Sequence, residues 1–122
     1  MIQQGTMLKI IDNSGGLTAM CIKVLGKNPK CPGYHGDKII VVIKTAIAGK
    51  RVTKSQIHRA LIVWSPVNKR RKEGTYIRFA DSACVLLKKD GLPLANRVRG
   101  PVYRELRPLG HLRIVSLATI AL

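Results

Sequence analysis

Acidic side chains are scarce in this chain. Six Asp and Glu residues stand against 22 Lys and Arg residues, so the formal net charge is +16 at pH 7 over 122 residues. The basic residues run from Lys9 to Arg113 between apolar stretches, and no low-complexity tail carries them. A small folded domain repels itself at such a charge, and a polyanionic partner would offset that repulsion. Nucleic acid is the expected partner, because each phosphate that a protein neutralises releases condensed counterions.

Aromatic residues and long hydrophobic stretches are also few. Aromatic residues make up 4% of the chain, which argues against a module that stacks single-stranded bases on several exposed rings. We therefore expect recognition of duplex backbone and shape. No apolar stretch approaches the ~18 residues of a membrane span, and residues 1–4 begin no recognisable targeting segment. The expectation is a chain without a membrane partner, either made where it works or already processed.

The cysteines and histidines form no familiar catalytic or metal site. Cys21 and Cys84 lie inside apolar runs, where a buried thiol is the usual interpretation. An odd cysteine count without a secretory signal indicates a reducing compartment. Cys21, Cys31 and His35 could supply three zinc ligands, but a structural zinc site wants four, generally as two close pairs. The carboxylates fall mostly in expected turns and no histidine stands beside a nucleophile, so we expect neither a metal nor an enzyme.

Short runs of Val, Ile, Leu and Met, separated by Gly, Pro, Asn and Asp, predict a mainly β protein. Strands are expected at residues 7–12, 17–25, 37–47, 57–64, 75–79 and 83–87, with a basic hairpin tip at 66–74. The apolar run at 37–47 must bury both faces or close a barrel. We predict a closed, meander-like barrel of about five strands.

Within the second strand, Thr18, Met20, Ile22 and Val24 are expected on one face and Lys23 on the other. In the C-terminal part, Pro101 suits the first turn of a helix that residues 102–106 would continue. The whole chain, 1–122, is expected to be one domain, with the barrel and its loops over about 1–95 and a small helical segment over about 96–122.

Basic residues cluster at three places in this pattern. The predicted hairpin tip carries four in a row at 69–72, two loops carry others, and the C-terminal segment is rich in arginine, whose planar fork grips phosphate with two hydrogen bonds. Glu105 stands between Arg104 and Arg107, and we expect a local ion pair there.

The motifs of this chain resemble one family along its full length, the universal large-subunit ribosomal protein number 14. The resemblance rests on Met1-Ile2-Gln3, the turn Asp12-Asn13-Ser14-Gly15, Ala60-Leu61-Ile62-Val63 followed by Glu73-Gly74, and Gly100-Pro101-Val102 before Arg104-Glu105-Leu106-Arg107. It implies a five-stranded barrel with a small helical C-terminal part, bound to large-subunit rRNA beside large-subunit proteins 3 and 19.

The resemblance also implies sites and further partners. The family bridges to small-subunit rRNA and receives a ribosome-silencing factor, whose surface here would be Asn96, Arg97 and Arg113. The basic clusters themselves, apart from the resemblance, supply the residues expected to bind rRNA: Lys27, Lys30, Lys50, Arg51, Lys54, Lys69, Arg70, Arg71, Lys72 and Arg99.

Several positions depart from the residues usual in the family, among them Gly16-Leu17-Thr18, Glu73 and Arg99. Such drift on an intact frame favours an organellar, mitochondrial ribosome, with a bacterial cytoplasm or a plastid as the alternatives. A free RNA chaperone and, less favoured, a zinc-binding module are the other functional classes.

Overall fold

Five strands close into a barrel in the computed structural model, which describes residues 2–28 and 30–122. Met1, part of the N-terminal motif, and Pro29, in the basic loop, lie outside the described residues. The strands are β1 (Met7–Ile10), β2 (Gly16–Val24), β3 (Lys38–Ala46), β4 (Ile57–Trp64), β5 (Lys69–Arg70), β6 (Tyr76–Ile77), β7 (Ala83–Leu87), β8 (Pro101–Val102) and β9 (Ile120–Ala121). A 3-10 turn covers Arg104–Leu106, and the helix α1 covers Leu112–Leu117.

The barrel order is β1-β2-β3-β4-β7, which confirms the predicted closed five-stranded architecture. Each strand is antiparallel to the one before it, so an odd number of strands must close with its first and last strands parallel. That seam pairs Lys9 with Ala83 and Ile10 with Cys84. β5 and β6 form a separate two-stranded hairpin between β4 and β7, where the basic hairpin was predicted.

The barrel interior is apolar, and a bulge decides which β2 side chains enter it. Ala19 and Cys21 point inward and are fully buried. The pairing of β2 with β3 shifts between Cys21 and Lys23, and this extra residue turns Val24 inward as well. The expectation that Val24 shares a face with Thr18, Met20 and Ile22 is therefore wrong, because a bulge reverses the alternation beyond it.

A second apolar cluster lies outside the barrel, on β4 and β7. Leu61, Val63, Val85 and Leu87 face away from the interior and pack against the C-terminal segment. These two strands are thus buried on both faces. β3, the strand singled out for its apolar run, buries one face through Ile39, Val41 and Ile43 and leaves the other half-exposed, so the barrel alternative is the correct one.

The C-terminal segment begins as a strand, and the prediction of a helix from Pro101 is wrong. β8 pairs in parallel with β9 through Pro101–Ile120 and Val102–Ala121. The Pro101 carbonyl accepts a hydrogen bond from the Trp64 indole at 2.6 Å. Proline lacks a backbone N–H, but its carbonyl can still accept a hydrogen bond when the chain is extended. The bond from Trp64 and the pairing with β9 outweigh the local preference of this segment for a helix. Helical structure follows at Arg104–Leu106 and in α1.

No helix in the described part of the chain is long and apolar enough to cross a bilayer.

A buried carboxylate fastens the seam between β1 and β7. Asp12 follows β1 and is 3% exposed. Its Oδ1 accepts hydrogen bonds from the Ser14 amide at 3.1 Å and the Ser14 hydroxyl, and its Oδ2 accepts one from the Leu86 amide at 3.0 Å. The carboxylate serves the turn, as expected for this residue type, and also reaches across the seam.

Replacing Asp12 by alanine should destabilise the protein. The Leu86 N–H would lose its acceptor in a buried setting, which costs about 1–3 kcal/mol. Urea unfolding followed by Trp64 fluorescence measures the change. Asp90→Ala is the matched control, since Asp90 is exposed and accepts the Leu92 amide at 3.1 Å within its own turn. Equal losses for both variants would contradict the role given to Asp12.

Candidate nucleic-acid interface

Two ion pairs hold the basic hairpin against the C-terminal segment. Arg71 Nε lies 2.8 Å from Glu105 Oε1, and Arg104 Nη2 lies 2.9 Å from Glu73 Oε1. Arg71 also donates from Nη2 to the Leu122 carbonyl. The local pairing expected for Glu105 with Arg104 or Arg107 is wrong, because the 3-10 turn directs Glu105 toward the hairpin and leaves Arg104 for the acid of the hairpin tip.

The same contacts separate the four basic residues of the hairpin into two roles. The Arg71 side chain is 12% exposed and bound to protein groups. Arg70 and Lys72 are exposed, and neither takes part in an ion pair found among residues 2–28 and 30–122. A cleft of about 360 Å³ runs past them, between residues 69–73 and Arg104 with Glu105. The hairpin therefore carries two exposed cations at its tip, Arg70 and Lys72, on a backbone that the contacts of Arg71 tie to the C-terminal segment.

The basic loop before β3 meets the hairpin at a second cleft. This cleft has a volume of about 280 Å³, and its lining includes Lys27, Tyr34 and Lys69. Lys27 Nζ lies 2.9 Å from Asp37 Oδ2 and 5.0 Å from the centre of the Tyr34 ring. Lys30 is exposed on the same loop. The fold thus brings together Lys27 and Lys69, which are 42 positions apart in the sequence; we call Lys27, Lys30, Lys69, Arg70 and Lys72 the hairpin surface.

A third cavity joins two further predicted groups. Lys50, Arg51 and Asn96 line about 180 Å³ together with the turn after β1. Arg51 Nη1 donates to the Leu94 carbonyl at 2.8 Å, which holds this arginine against the loop that follows β7. Gly15, at φ +108°, lies so close to Lys50 that a Cβ there would collide with it.

Two more predicted cations are close in sequence to residues of this cavity, Lys54 to Lys50 and Arg99 to Asn96. Lys54 is exposed on the loop that follows Lys50 and Arg51, and Arg99 is exposed where its amide donates to the Ile11 carbonyl at 2.7 Å. We call Lys50, Arg51, Lys54 and Arg99 the loop surface.

The residues assigned to a protein partner lie on two elements. Asn96 and Arg97 are exposed, and the Arg97 amide donates to Asn13 Oδ1 at 3.2 Å. Arg113 is exposed on α1. The neighbours Val98 and Ile114 belong to the same apolar cluster on the outside of β4 and β7. Both elements are therefore anchored on one layer; we call Asn96, Arg97 and Arg113 the C-terminal surface.

The three zinc candidates occupy different surroundings. Cys21 lies in the barrel interior, where burial raises its thiol pKa, whereas Cys31 is exposed. His35 packs on Tyr103 with ring centres 4.1 Å apart, and burial, followed by the charge of Lys69, lowers its pKa. No group of three or more His, Cys, Asp or Glu side chains that could hold a metal occurs in the part of the chain that the structure describes.

One basic group was missed by sequence reasoning. Arg59, Lys88 and Lys89 line a cleft of about 540 Å³ with apolar side chains from β3 and β4. In the sequence, Lys88 and Lys89 follow the apolar run at 83–87 and precede Asp90-Gly91, whereas Arg59 is a single cation within the run at 57–64. The adjacent basic pair in a turn was the available signal, but its proximity to Arg59 depends on the β4–β7 pairing.

A comparison with protein-family models gives a match over the whole sequence. The model described as ribosomal protein L14p/L23e matches residues 1–122.

Breaking the half-buried Arg71–Glu105 ion pair should cost more than breaking the exposed Arg104–Glu73 pair. Glu105→Gln leaves the Arg71 guanidinium, 12% exposed, without its carboxylate, and we expect a loss of about 1–3 kcal/mol in unfolding free energy. Glu73→Gln removes a pair whose side chains are 54% and 55% exposed, worth about 0–1 kcal/mol. Urea unfolding of both variants tests this difference, and a larger loss for Glu73→Gln would contradict it.

Proposed function

The chain belongs to the ribosomal protein L14p/L23e family, and from this we propose that it binds large-subunit rRNA through its hairpin and loop surfaces. The family makes it a structural protein of the large ribosomal subunit and not an enzyme. Its work in this proposal is electrostatic: cations held at fixed positions meet phosphates whose spacing is set by folded RNA.

The observation that carries the proposal is the geometry of the hairpin. Arg70 and Lys72 are exposed on either side of Arg71, while Arg71 binds Glu105 and a backbone carbonyl. Because Arg71 ties the backbone between these two cations to the C-terminal segment, less backbone freedom is lost when they meet phosphate, and more of the electrostatic gain is retained. In this proposal Arg71, expected from the sequence to bind rRNA, positions its two neighbours.

The C-terminal surface is proposed to face other macromolecules at the subunit interface. Asn96, Arg97 and Arg113 are exposed and anchored on one apolar layer, which supports treating them as one surface. By resemblance to the family, its partners are small-subunit rRNA across a bridge and a ribosome-silencing factor. Large-subunit proteins 3 and 19 are the proposed neighbours.

A mitochondrial ribosome is the proposed location. The support is sequence drift: Gly16-Leu17-Thr18, Glu73 and Arg99 differ from the residues usual in the family while the barrel motifs are intact. A bacterial cytoplasm and a plastid are the alternatives.

Removing two hairpin cations should weaken rRNA binding and its dependence on salt. For Arg70→Ala with Lys72→Ala, we expect the slope of log K against log salt to flatten by about 1–2 units, since each lost phosphate contact contributes slightly less than one. Filter binding to large-subunit rRNA at several salt concentrations measures it. Lys9→Ala with Lys38→Ala removes the same charge elsewhere, and an equal flattening for that control would contradict a specific role for the hairpin.

Sedimentation tests the particle and the compartment together. In sucrose gradients of purified mitochondria, we expect the chain to migrate stoichiometrically with the large subunit at low and high salt. Migration only with cytoplasmic or plastid ribosomes would contradict the mitochondrial location. A chain that stays at the top of every gradient would contradict stable incorporation and favour the free RNA chaperone.

A further inference from the structure

A row of apolar side chains crosses the outside of the barrel. The strand registers pair Met7 with Met20, Met20 with Val42, and Val42 with Ile57. These four residues, which we call the apolar row, therefore lie side by side on β1 to β4. Met7 is 51% exposed and Ile57 is 65% exposed, while Met20 and Val42 are half-buried. Neither apolar cluster of the fold includes them.

Basic residues flank this row. On β3, Ile40 lies two residues before Val42. The registers pair Ile40 with Lys23 on β2 and with Arg59 on β4. Beside Arg59, Lys88 and Lys89 complete the cleft of about 540 Å³, whose lining also includes Ile57. All the other residues that line this cleft are apolar or are histidine. Lys44, two residues beyond Val42 on β3, is exposed on the opposite side of the row.

This chemistry fits a protein segment better than RNA. The row consists of thioether and aliphatic side chains, which offer no aromatic face on which a base could stack. An RNA backbone across the row would place phosphates beside the flanking cations. Its strongly hydrated phosphates would keep water against the apolar side chains, so those side chains would gain nothing from the contact. A peptide with its own apolar side chains would remove both surfaces from water, which is favourable by about 25 cal/mol per Å².

The positive charge around the row indicates that its partner carries negative charge. A second copy of this chain would bring +16 to a basic rim and would be repelled. We propose that the apolar row and its cleft dock a segment of another large-subunit protein, one that alternates apolar residues with Asp or Glu. The inference rests on the proposed incorporation into the large subunit and adds to it the surface and the chemistry of a protein contact.

Photo-crosslinking in assembled particles tests this contact. Benzoylphenylalanine placed at position 7 is irradiated in purified large subunits that contain the full chain. We expect one stoichiometric, nuclease-resistant protein adduct whose linked peptide contains apolar and acidic residues. The same probe at position 120 is the control, because Ile120 is 54% exposed but lies on β9, outside the barrel wall; it should not give that adduct.

Charge variants at the other end of the row sharpen the test. With the probe at position 7, Ile57→Glu should reduce the adduct about tenfold or more, because a like charge facing an acidic segment costs over ~1.4 kcal/mol. Ile57→Lys should reduce it less than about threefold, the equivalent of ~0.7 kcal/mol. Since Ile57 is exposed, both variants should fold, and an unchanged melting temperature checks this.

The outcomes separate this inference from the proposed function. A nuclease-sensitive adduct, no adduct, or equal effects of Ile57→Glu and Ile57→Lys in particles of normal composition would overturn the docking surface alone. A chain that never sediments with the large subunit would overturn its stable incorporation, and the docking surface with it.

Discussion

The parallel seam between β1 and β7 is the constraint on which the rest of the structure depends. Five successive antiparallel strands can close only if the first and last run parallel, and here that pairing is short. Asp12 supplements it by accepting the Leu86 amide from across the seam. Because β4 and β7 are also covered from outside by the C-terminal segment, closing the barrel creates the layer on which the C-terminal surface is positioned.

Scarce acidic residues are used to position the abundant basic ones. Asp37, Asp81, Glu73 and Glu105 each form an ion pair with a Lys or Arg from another part of the chain, while Asp12 and Asp90 accept backbone amides at turns. All six carboxylates therefore have a structural task. Most cations remain without a counter-charge of their own, so the free energy of the self-repulsion is available to be released on binding a polyanion.

The barrel could be predicted because its information is local. Short apolar runs with turn residues between them define strands, and short turns between successive strands favour closure because a closed sheet has no exposed edges. The bulge before Val24, the strand at Pro101 and the pairing of Glu105 with Arg71 could not be predicted in this way. Each is decided by a partner distant in sequence, which competes with a local preference that the sequence displays plainly. For the same reason, the sequence alone does not predict that Arg59 lies near Lys88 and Lys89.

The positions of the aromatic rings bear on the proposed mode of RNA recognition. Trp64, Phe79 and Tyr103 pack in series, with ring centres 5.4 and 4.9 Å apart, and tie β4 to the C-terminal segment. Only Tyr34 and Tyr76 remain exposed, at 37% and 65%. Two exposed rings offer few faces for stacking a run of bases, whereas the two surfaces proposed to bind rRNA carry nine cations. In the proposed interface, discrimination comes from the shape of the folded RNA, which would place phosphates opposite the cations of the hairpin.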